Sequence, residues 1–216
     1  MKTELVLVRH GITAWNRERR FQGQLDTPLD EQGFEQARKT GRRLASWPLA
    51  AVYTSDLLRA RQTAEAIAAP HGLDLRIESR LRERHYGGYE GRTYDEIERS
   101  DPDGYARWRA REPAFALPGG GETLRSLHER VEAALRDLAR RHEGQVVAIV
   151  THGGVLDCAF RVATGLALEA PRTHELLNAS LNRIAWQDES FALLAWADAA
   201  HLVEAIDDAA QARGHP

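Results

Sequence analysis

Cysteine, lysine and long apolar runs are scarce in this chain of 216 residues, and each scarcity excludes a class of protein. The single cysteine, Cys158, excludes an intrachain disulfide and favours a reducing compartment. No apolar run approaches the length of a membrane span, and Arg9 and His10 interrupt the apolar start that a signal peptide would need. We therefore expect a soluble cytoplasmic protein that has no membrane partner.

Positive charge is carried almost entirely by arginine, because Lys2 and Lys39 are the only lysines. The formal net charge is −3, so no overall field attracts nucleic acid, and we expect no nucleic-acid partner. A few arginines can still bind a small anion, because a guanidinium offers a fixed fork of donors to phosphate oxygens. The oligomeric state is left open, with a homodimer as one option.

Short apolar runs alternate with segments of helical periodicity along most of the chain. The predicted strands cover 5–8, 49–55, 73–78 and 145–151, and a hairpin covers 181–196. The predicted helices cover 33–47, a segment ending at 69, 93–99, 101–111, 122–142 and 155–164. Asp30 is the expected cap of the first of these helices, and Ser55 or Asp56 the expected cap of the second.

This alternation predicts an α/β fold, a three-layer α/β/α sandwich with a mostly parallel central sheet and helices on both faces. Residues 84–120 mix glycine, proline and aromatic residues with charges, and we interpret them as a small cap insertion over the C-terminal edge of the sheet. We predict one domain over residues 1–216. The tail from Ala197 is expected to be partly helical or loose, and no function is assigned to it.

Two of the predicted buried strands end alike, in Val8-Arg9-His10-Gly11 and in Val150-Thr151-His152-Gly153. If the two strands are parallel neighbours, both histidines emerge at one edge of the sheet, where ligands bind in open α/β folds. A neutral imidazole is a nucleophile near neutral pH, and the N-terminus of the helix that follows His152 favours an anion. The pattern therefore indicates an anion-binding site with a candidate nucleophile.

The chain also resembles the histidine phosphatase superfamily, which includes cofactor-dependent phosphoglycerate mutases and related phosphatases. Four segments carry the resemblance in the family's order: LVLVRHGITAWN at 5–16, TSDLLRARQTA at 54–64, LRERHYGGYEG at 81–91 and THG at 151–153. Because the segments span most of the chain, the match is much more specific than an isolated RHG triplet.

The resemblance implies a metal-independent phosphomonoester hydrolase that acts on small phosphorylated metabolites and needs no cofactor. His10 would form a phosphohistidine, Glu83 would act as general acid and base, and Arg9, Arg59 and His152 would bind the phosphate. The loop after the first strand would supply the substrate-binding residues Asn16, Thr13, Gln22 and Gly23. The cap would add Tyr86, and the fourth segment would add Gly153.

Two alternatives remain open. Phosphoglycerate mutases share the chemistry as far as the phosphohistidine, and Tyr86 matches their substrate-contacting tyrosine. However, Gly154 stands where they carry asparagine, no lysine follows Lys39, and Arg109-Ala110-Arg111 interrupts their arginine pair. We therefore favour the phosphatase and expect a weaker hold on a carboxylate-bearing bisphosphate. A non-catalytic phospho-ligand-binding protein ranks lower, because such a protein is expected to lack the nucleophile or the acid.

Overall fold

The structure, a computed structural model, describes residues 1–202 of the chain. A central sheet organises this part of the protein. Residues 203–216 of the predicted tail lie outside the described residues. The strands are β1 (Thr3–Arg9), β2 (Leu49–Thr54), β3 (Leu75–Ile77), β4 (Val146–Thr151), β5 (Leu181–Gln187) and β6 (Ser190–Asp198). They form one six-stranded sheet in the order β3-β2-β4-β1-β5-β6. The first four strands pair in parallel, and β5 and β6 form the antiparallel hairpin that the sequence predicts.

Helices connect and cover these strands. They are α1 (Ala14–Arg17), α2 (Glu31–Leu44), α3 (Leu58–Ala68), α4 (Tyr94–Ser100), α5 (Pro102–Arg109), α6 (Leu124–Arg141) and α7 (Gly153–Thr164). Asp30 caps α2 as predicted, because its carboxylate accepts a hydrogen bond of 2.8 Å from the Gly33 amide. The prediction that Ser55 or Asp56 is the N-cap of α3 is wrong. The N-cap is Leu57, whose side chain makes no capping hydrogen bond.

Alternate residues of β1 build two separate cores, one on each face of the sheet. Leu5 and Leu7 pack into an apolar cluster with α6 and α7, whereas Val6 and Val8 pack into another with α2 and α3. Side chains of a strand point alternately to opposite faces, so a strand that is apolar at every position must be covered twice. This arrangement is the predicted three-layer sandwich.

The cap lies between β3 and α6 in sequence, and it forms a third apolar cluster together with one residue of the loop after β1. Its buried members are Phe21, Tyr89, Ile97, Tyr105, Phe115 and Leu117. Phe21 comes from the loop after β1, and its amide donates a hydrogen bond of 2.9 Å to the Arg92 carbonyl. The cap is therefore packed against the loop that follows the Arg9-His10-Gly11 segment.

Candidate active site

The parallel register of β1 and β4 brings the two predicted histidines together. Arg9 is paired with Thr151, so His10 and His152 each follow their strand at the same level of the sheet. The His10 amide also donates a hydrogen bond of 2.9 Å to the Thr151 carbonyl. The ring centroids of the two histidines lie 5.2 Å apart, and both residues are buried.

The contacts of the His10 ring indicate which of its nitrogens carries the proton. Its Nδ1 lies 2.7 Å from the Gly11 carbonyl oxygen, which can only accept a hydrogen bond, so the ring proton resides on Nδ1. Burial lowers the pKa of His10 well below its usual range, and the Arg59 and Arg9 guanidiniums lower that pKa further. The neutral ring therefore keeps its lone pair on Nε2.

Ser55 fixes the ring of His152, and the sequence analysis did not assign this role. The Ser55 hydroxyl lies 2.7 Å from Nε2 of His152 and 3.4 Å from the Leu57 amide, which donates to it. Nδ1 of His152 is buried and has no hydrogen-bond partner within residues 1–202. Burial lowers the pKa of His152 well below its usual range, with Arg59 and His10 adding to the shift.

Arg59 and Arg9 place two guanidiniums beside the histidines. Arg59, on α3, is fully buried and donates to the carbonyl oxygens of Leu25 (2.9 Å) and Gly23 (2.7 Å). Burial lowers the pKa of Arg59 to about 10, which leaves the side chain cationic at neutral pH. Arg9 donates to the Leu176 carbonyl. The Nε–H of each arginine is buried and lacks a partner among the described residues.

Glu83 reaches this group of side chains at the N-terminus of α7. Its carboxylate accepts hydrogen bonds from the Arg84 amide (2.8 Å) and from the Gly154 amide (3.0 and 3.2 Å to the two oxygens). A Cβ atom at position 154 would lie 2.3 Å from Oε1 of Glu83, so a larger residue there would require the end of the Glu83 side chain to shift. The glycine thus accommodates the carboxylate in its present position beside the Gly154 amide.

The predicted substrate-binding residues of the first loop contact one another. Thr13 caps α1 in a capping box with Asn16, and its hydroxyl lies 3.0 Å from Oε1 of Gln22. Gly23 is tied to the site through its carbonyl bond to Arg59. These contacts order the loop beside the two guanidiniums. Gly153 begins α7, and a Cβ atom there would lie 3.6 Å from Nε of Arg9.

A pocket of about 450 Å³ opens between the cap and α7. Tyr86 and Trp108 of the cap line it, together with Gly154. Burial raises the pKa of the Tyr86 hydroxyl well above its usual range, so that hydroxyl stays neutral. The pocket is also lined by five arginines: Arg19, Arg84, Arg109, Arg111 and Arg172. The pocket thus contains cationic side chains, and the expected weaker hold on a carboxylate-bearing bisphosphate stays a prediction.

The two buried imidazoles should make stability depend on pH. An unfolded chain protonates each histidine below about pH 6.5, whereas the pKa values of His10 and His152 in the folded protein are well below that range. The unfolded state then binds more protons, so the free energy of unfolding should decrease as pH falls, by up to about 1.4 kcal/mol per pH unit for each histidine. Urea unfolding between about pH 7 and about pH 5.5 in phosphate-free buffer measures this slope.

The His10→Asn and His10→Asn/His152→Asn variants provide the comparison. The slope should decrease with the first substitution and again with the second, because each removes a group that protonates only on unfolding. The dependence ends where the folded-state rings themselves take up protons. Equal slopes in the wild type and the double variant would contradict the assignment of two neutral buried rings.

Residues 1–202 contain neither a candidate metal site nor a candidate membrane span. No group of three or more histidine, cysteine, aspartate or glutamate side chains is arranged to hold a metal ion in this part of the chain. Within the same residues, no helix combines the length and apolarity needed to cross a membrane.

Two imidazoles, two guanidiniums and a carboxylate thus lie together at the carboxyl edge of the parallel strands of an α/β protein, the place where ligands bind in such folds. The chain belongs to the histidine phosphatase superfamily (branch 1), whose sequence model matches residues 5–199. The resemblance inferred from the four sequence segments is thereby confirmed.

Relatives named as a phosphoglycerate mutase-like protein and as a phosphatase both match nearly the whole chain. Phosphoglycerate mutase-like protein 4 of Arabidopsis thaliana is 37% identical over 204 residues, covering 93% of this chain and 87% of that protein. Metal-independent phosphoserine phosphatase of the same plant is 39% identical over 205 residues, covering 93% and 83%. The solved structure of YhfR from Bacillus stearothermophilus superimposes with a TM-score of 0.85 at 36% identity, covering 93% of this chain and 99% of that one.

Proposed function

We propose that this protein is a metal-independent phosphomonoester hydrolase that acts on small phosphorylated metabolites through a phosphohistidine on His10. The observation that carries the proposal is the convergence of two neutral buried imidazoles with two guanidiniums whose Nε–H groups are buried and lack a partner among the described residues. A phosphoryl group is the anion that such a set of donors and a nucleophile suits best. The buried Cys158 thiol also fits a reducing, cytoplasmic location.

In the first step, Nε2 of His10 attacks the phosphorus in line with the leaving oxygen. Nε–H of Arg9, Nε–H of Arg59 and Nδ1–H of His152 donate to the phosphoryl oxygens, where negative charge must be stabilised. The Ser55 hydroxyl, which accepts a hydrogen bond from the Leu57 amide, donates one to Nε2 of His152 and so keeps the single ring proton on Nδ1. Glu83 gives its proton to the leaving oxygen, and the alcohol departs.

In the second step, water attacks the phosphohistidine. The Glu83 carboxylate takes a proton from this water, the N–P bond breaks, and inorganic phosphate forms while His10 returns to the neutral imidazole. Arginine and imidazole donors supply the charge stabilisation that a divalent cation supplies in other phosphoryl-transfer sites. The relative named as a metal-independent phosphoserine phosphatase supports this assignment.

A phosphoglycerate mutase is the second candidate. The five arginines that line the pocket favour it, because they offer many donors to a carboxylate or a second phosphate. The name of the mutase-like relative points in the same direction. The two activities differ in whether water or a second substrate hydroxyl receives the phosphoryl group.

Comparing phosphate release with phosphoglycerate exchange decides between the two activities. We expect inorganic phosphate to be released from members of a panel of small phosphomonoesters, and to be released equally well after treatment with a metal chelator. Conversion of 3-phosphoglycerate to 2-phosphoglycerate, with and without 2,3-bisphosphoglycerate, is measured on the same preparation. Fast exchange with little phosphate release would favour the mutase, and release that the chelator abolishes would contradict metal independence.

A further inference from the structure

Asp157 is a buried carboxylate that joins three arginines beside the pocket. It lies on α7 and accepts hydrogen bonds from Nη2 of Arg111 (2.6 Å), Nε of Arg161 (3.2 Å) and Nε of Arg172 (3.4 Å). Nε2 of His174 lies 3.2 Å from the same carboxylate. The proposed chemistry uses none of these side chains, although two of the arginines line the pocket between the cap and α7.

The cluster carries more positive than negative charge. Burial alone would raise the pKa of Asp157, but His174 and the three arginines hold that pKa well below its usual range, so the carboxylate stays ionised. Arg161 is completely buried and also donates to the carbonyl oxygens of Ala167 and Ala170, which makes it a structural partner of Asp157. The excess charge therefore resides on Arg111 and Arg172, at the wall of the pocket.

The position of Arg111 is firmly held. Its backbone adopts a left-handed conformation with φ of 60°, which is unfavourable for a residue with a side chain. Its Nε donates a hydrogen bond of 2.9 Å to the Leu168 carbonyl, while Nη2 is held by Asp157. A strained residue whose side chain is held at two points and reaches a pocket indicates a functional constraint rather than a surface arginine.

We propose that Arg111 and Arg172, positioned by Asp157, form a second anion-binding subsite that recognises an anionic group on the leaving-group part of the substrate. The proposal rests on the proposed hydrolase function. Gly154, whose amide binds Glu83, lines the same pocket, so the subsite opens from the place where the leaving oxygen is protonated. The preferred substrates are phosphomonoesters whose alcohol portion carries a carboxylate or a second phosphate.

Matched aryl phosphates test the subsite. The probes are 4-(carboxymethyl)phenyl phosphate, its neutral amide and 4-(phosphonomethyl)phenyl phosphate, in which a methylene group insulates the phenol from the distal substituent. We expect kcat/KM for at least one anionic probe to exceed that for the amide by about tenfold or more, as a charge-assisted contact allows. Whichever anionic probe shows the larger increase in kcat/KM over the amide indicates whether the subsite recognises a carboxylate or a phosphate.

Substitutions assign the preference to the subsite. Arg172→Gln, at a half-exposed side chain, and Arg111→Gln should each reduce the preference, because each should raise KM for the anionic probe more than KM for the amide. Arg107→Gln is the matched control, because Arg107 lies on the cap helix α5 and pairs with Glu112 at 2.8 Å. It should retain the preference of the wild type.

Binding separates this inference from the hydrolase proposal. The corresponding benzylphosphonates cannot be hydrolysed, and calorimetry should show the same order of affinities in the wild type and the same loss in the arginine variants. Equal affinity for the anionic and neutral phosphonates, or a preference that Arg111→Gln and Arg172→Gln both leave intact, would overturn the subsite. Failure to hydrolyse any aryl phosphate, with the affinity order preserved, would instead overturn the hydrolase assignment.

Discussion

Replacing His10 with asparagine is expected to lower kcat/KM for phosphomonoesters by at least about 10⁴-fold, because it removes the nucleophile on which both steps depend. Asparagine can still donate an amide N–H towards the Gly11 carbonyl, which the His10 Nδ1–H contacts in the wild type. Arg9, Arg59 and His152 remain in place to bind phosphate. The variant should therefore bind substrate but not accumulate a phosphorylated protein.

Rapid-quench experiments measure both consequences. Substrate labelled in its phosphoryl group is mixed with protein and quenched into denaturant at alkaline pH, which preserves phosphohistidine. His85→Asn is the matched control, since this neighbour of Glu83 in sequence has a side chain that is 42% exposed and should leave labelling intact. Label retained on the His10→Asn protein would show that another side chain is the nucleophile.

The fold and the central pair of histidines could be predicted because they depend on local pattern. An uninterrupted apolar run such as that of β1 must be covered on both faces, and parallel strands bring their carboxyl ends to one edge. The register of β1 and β4 then places His10 beside His152. Arg59 and Glu83 were inferred only through the resemblance, because an arginine and a glutamate among other charged residues carry no positional information of their own.

Ser55 could not be predicted, although its position gave a usable signal. A serine just before a helix is typical of an N-cap, and that interpretation obscured its contact with His152. Ser55 follows β2, which pairs in parallel with β4, so Ser55 lies at the same edge of the sheet as His10 and His152. Knowing the strand order, rather than the local sequence, is what reveals the contact.

The convergence of arginines at the pocket could not be predicted for a related reason. Arg111 and Arg172 are 61 residues apart in sequence, as their numbers show, and Asp157 lies between them in sequence on the mostly apolar helix α7. Their hydrogen bonds to one carboxylate arise from tertiary packing, which no periodicity records. Comparing motif positions alone therefore reveals the missing lysine but not the arginines that line the pocket.

Replacing Glu83 with glutamine should distinguish substrates by their leaving groups. The loss of kcat/KM with an alkyl phosphate should be about 10²- to 10⁴-fold, the range of general acid catalysis. An aryl phosphate such as 4-nitrophenyl phosphate should lose less, because its leaving oxygen departs as an anion without needing a proton. Kinetics with a series of substituted phenyl phosphates should show a steeper dependence of kcat/KM on leaving-group acidity in the variant.

The test is sharp because glutamine nearly preserves the shape of the side chain. Its amide oxygen can accept the hydrogen bonds that the Glu83 carboxylate receives from the Arg84 and Gly154 amides, but the amide cannot give up a proton at neutral pH. Glu90→Gln is a matched control, because Oε1 of Glu90 binds the amides of Tyr86 and Gln24. Any loss in that control should be equal for alkyl and aryl substrates.

Equal losses for both substrate types in Glu83→Gln would remove Glu83 from the role of general acid. They would leave it as a group that orients the phosphate or the N-terminus of α7, through its bonds to Gly154. Unequal losses require proton transfer to the leaving oxygen, because the substitution alters the proton and little else in the geometry of the site. The ratio of the two losses, rather than either loss alone, therefore reports the chemistry of this carboxylate.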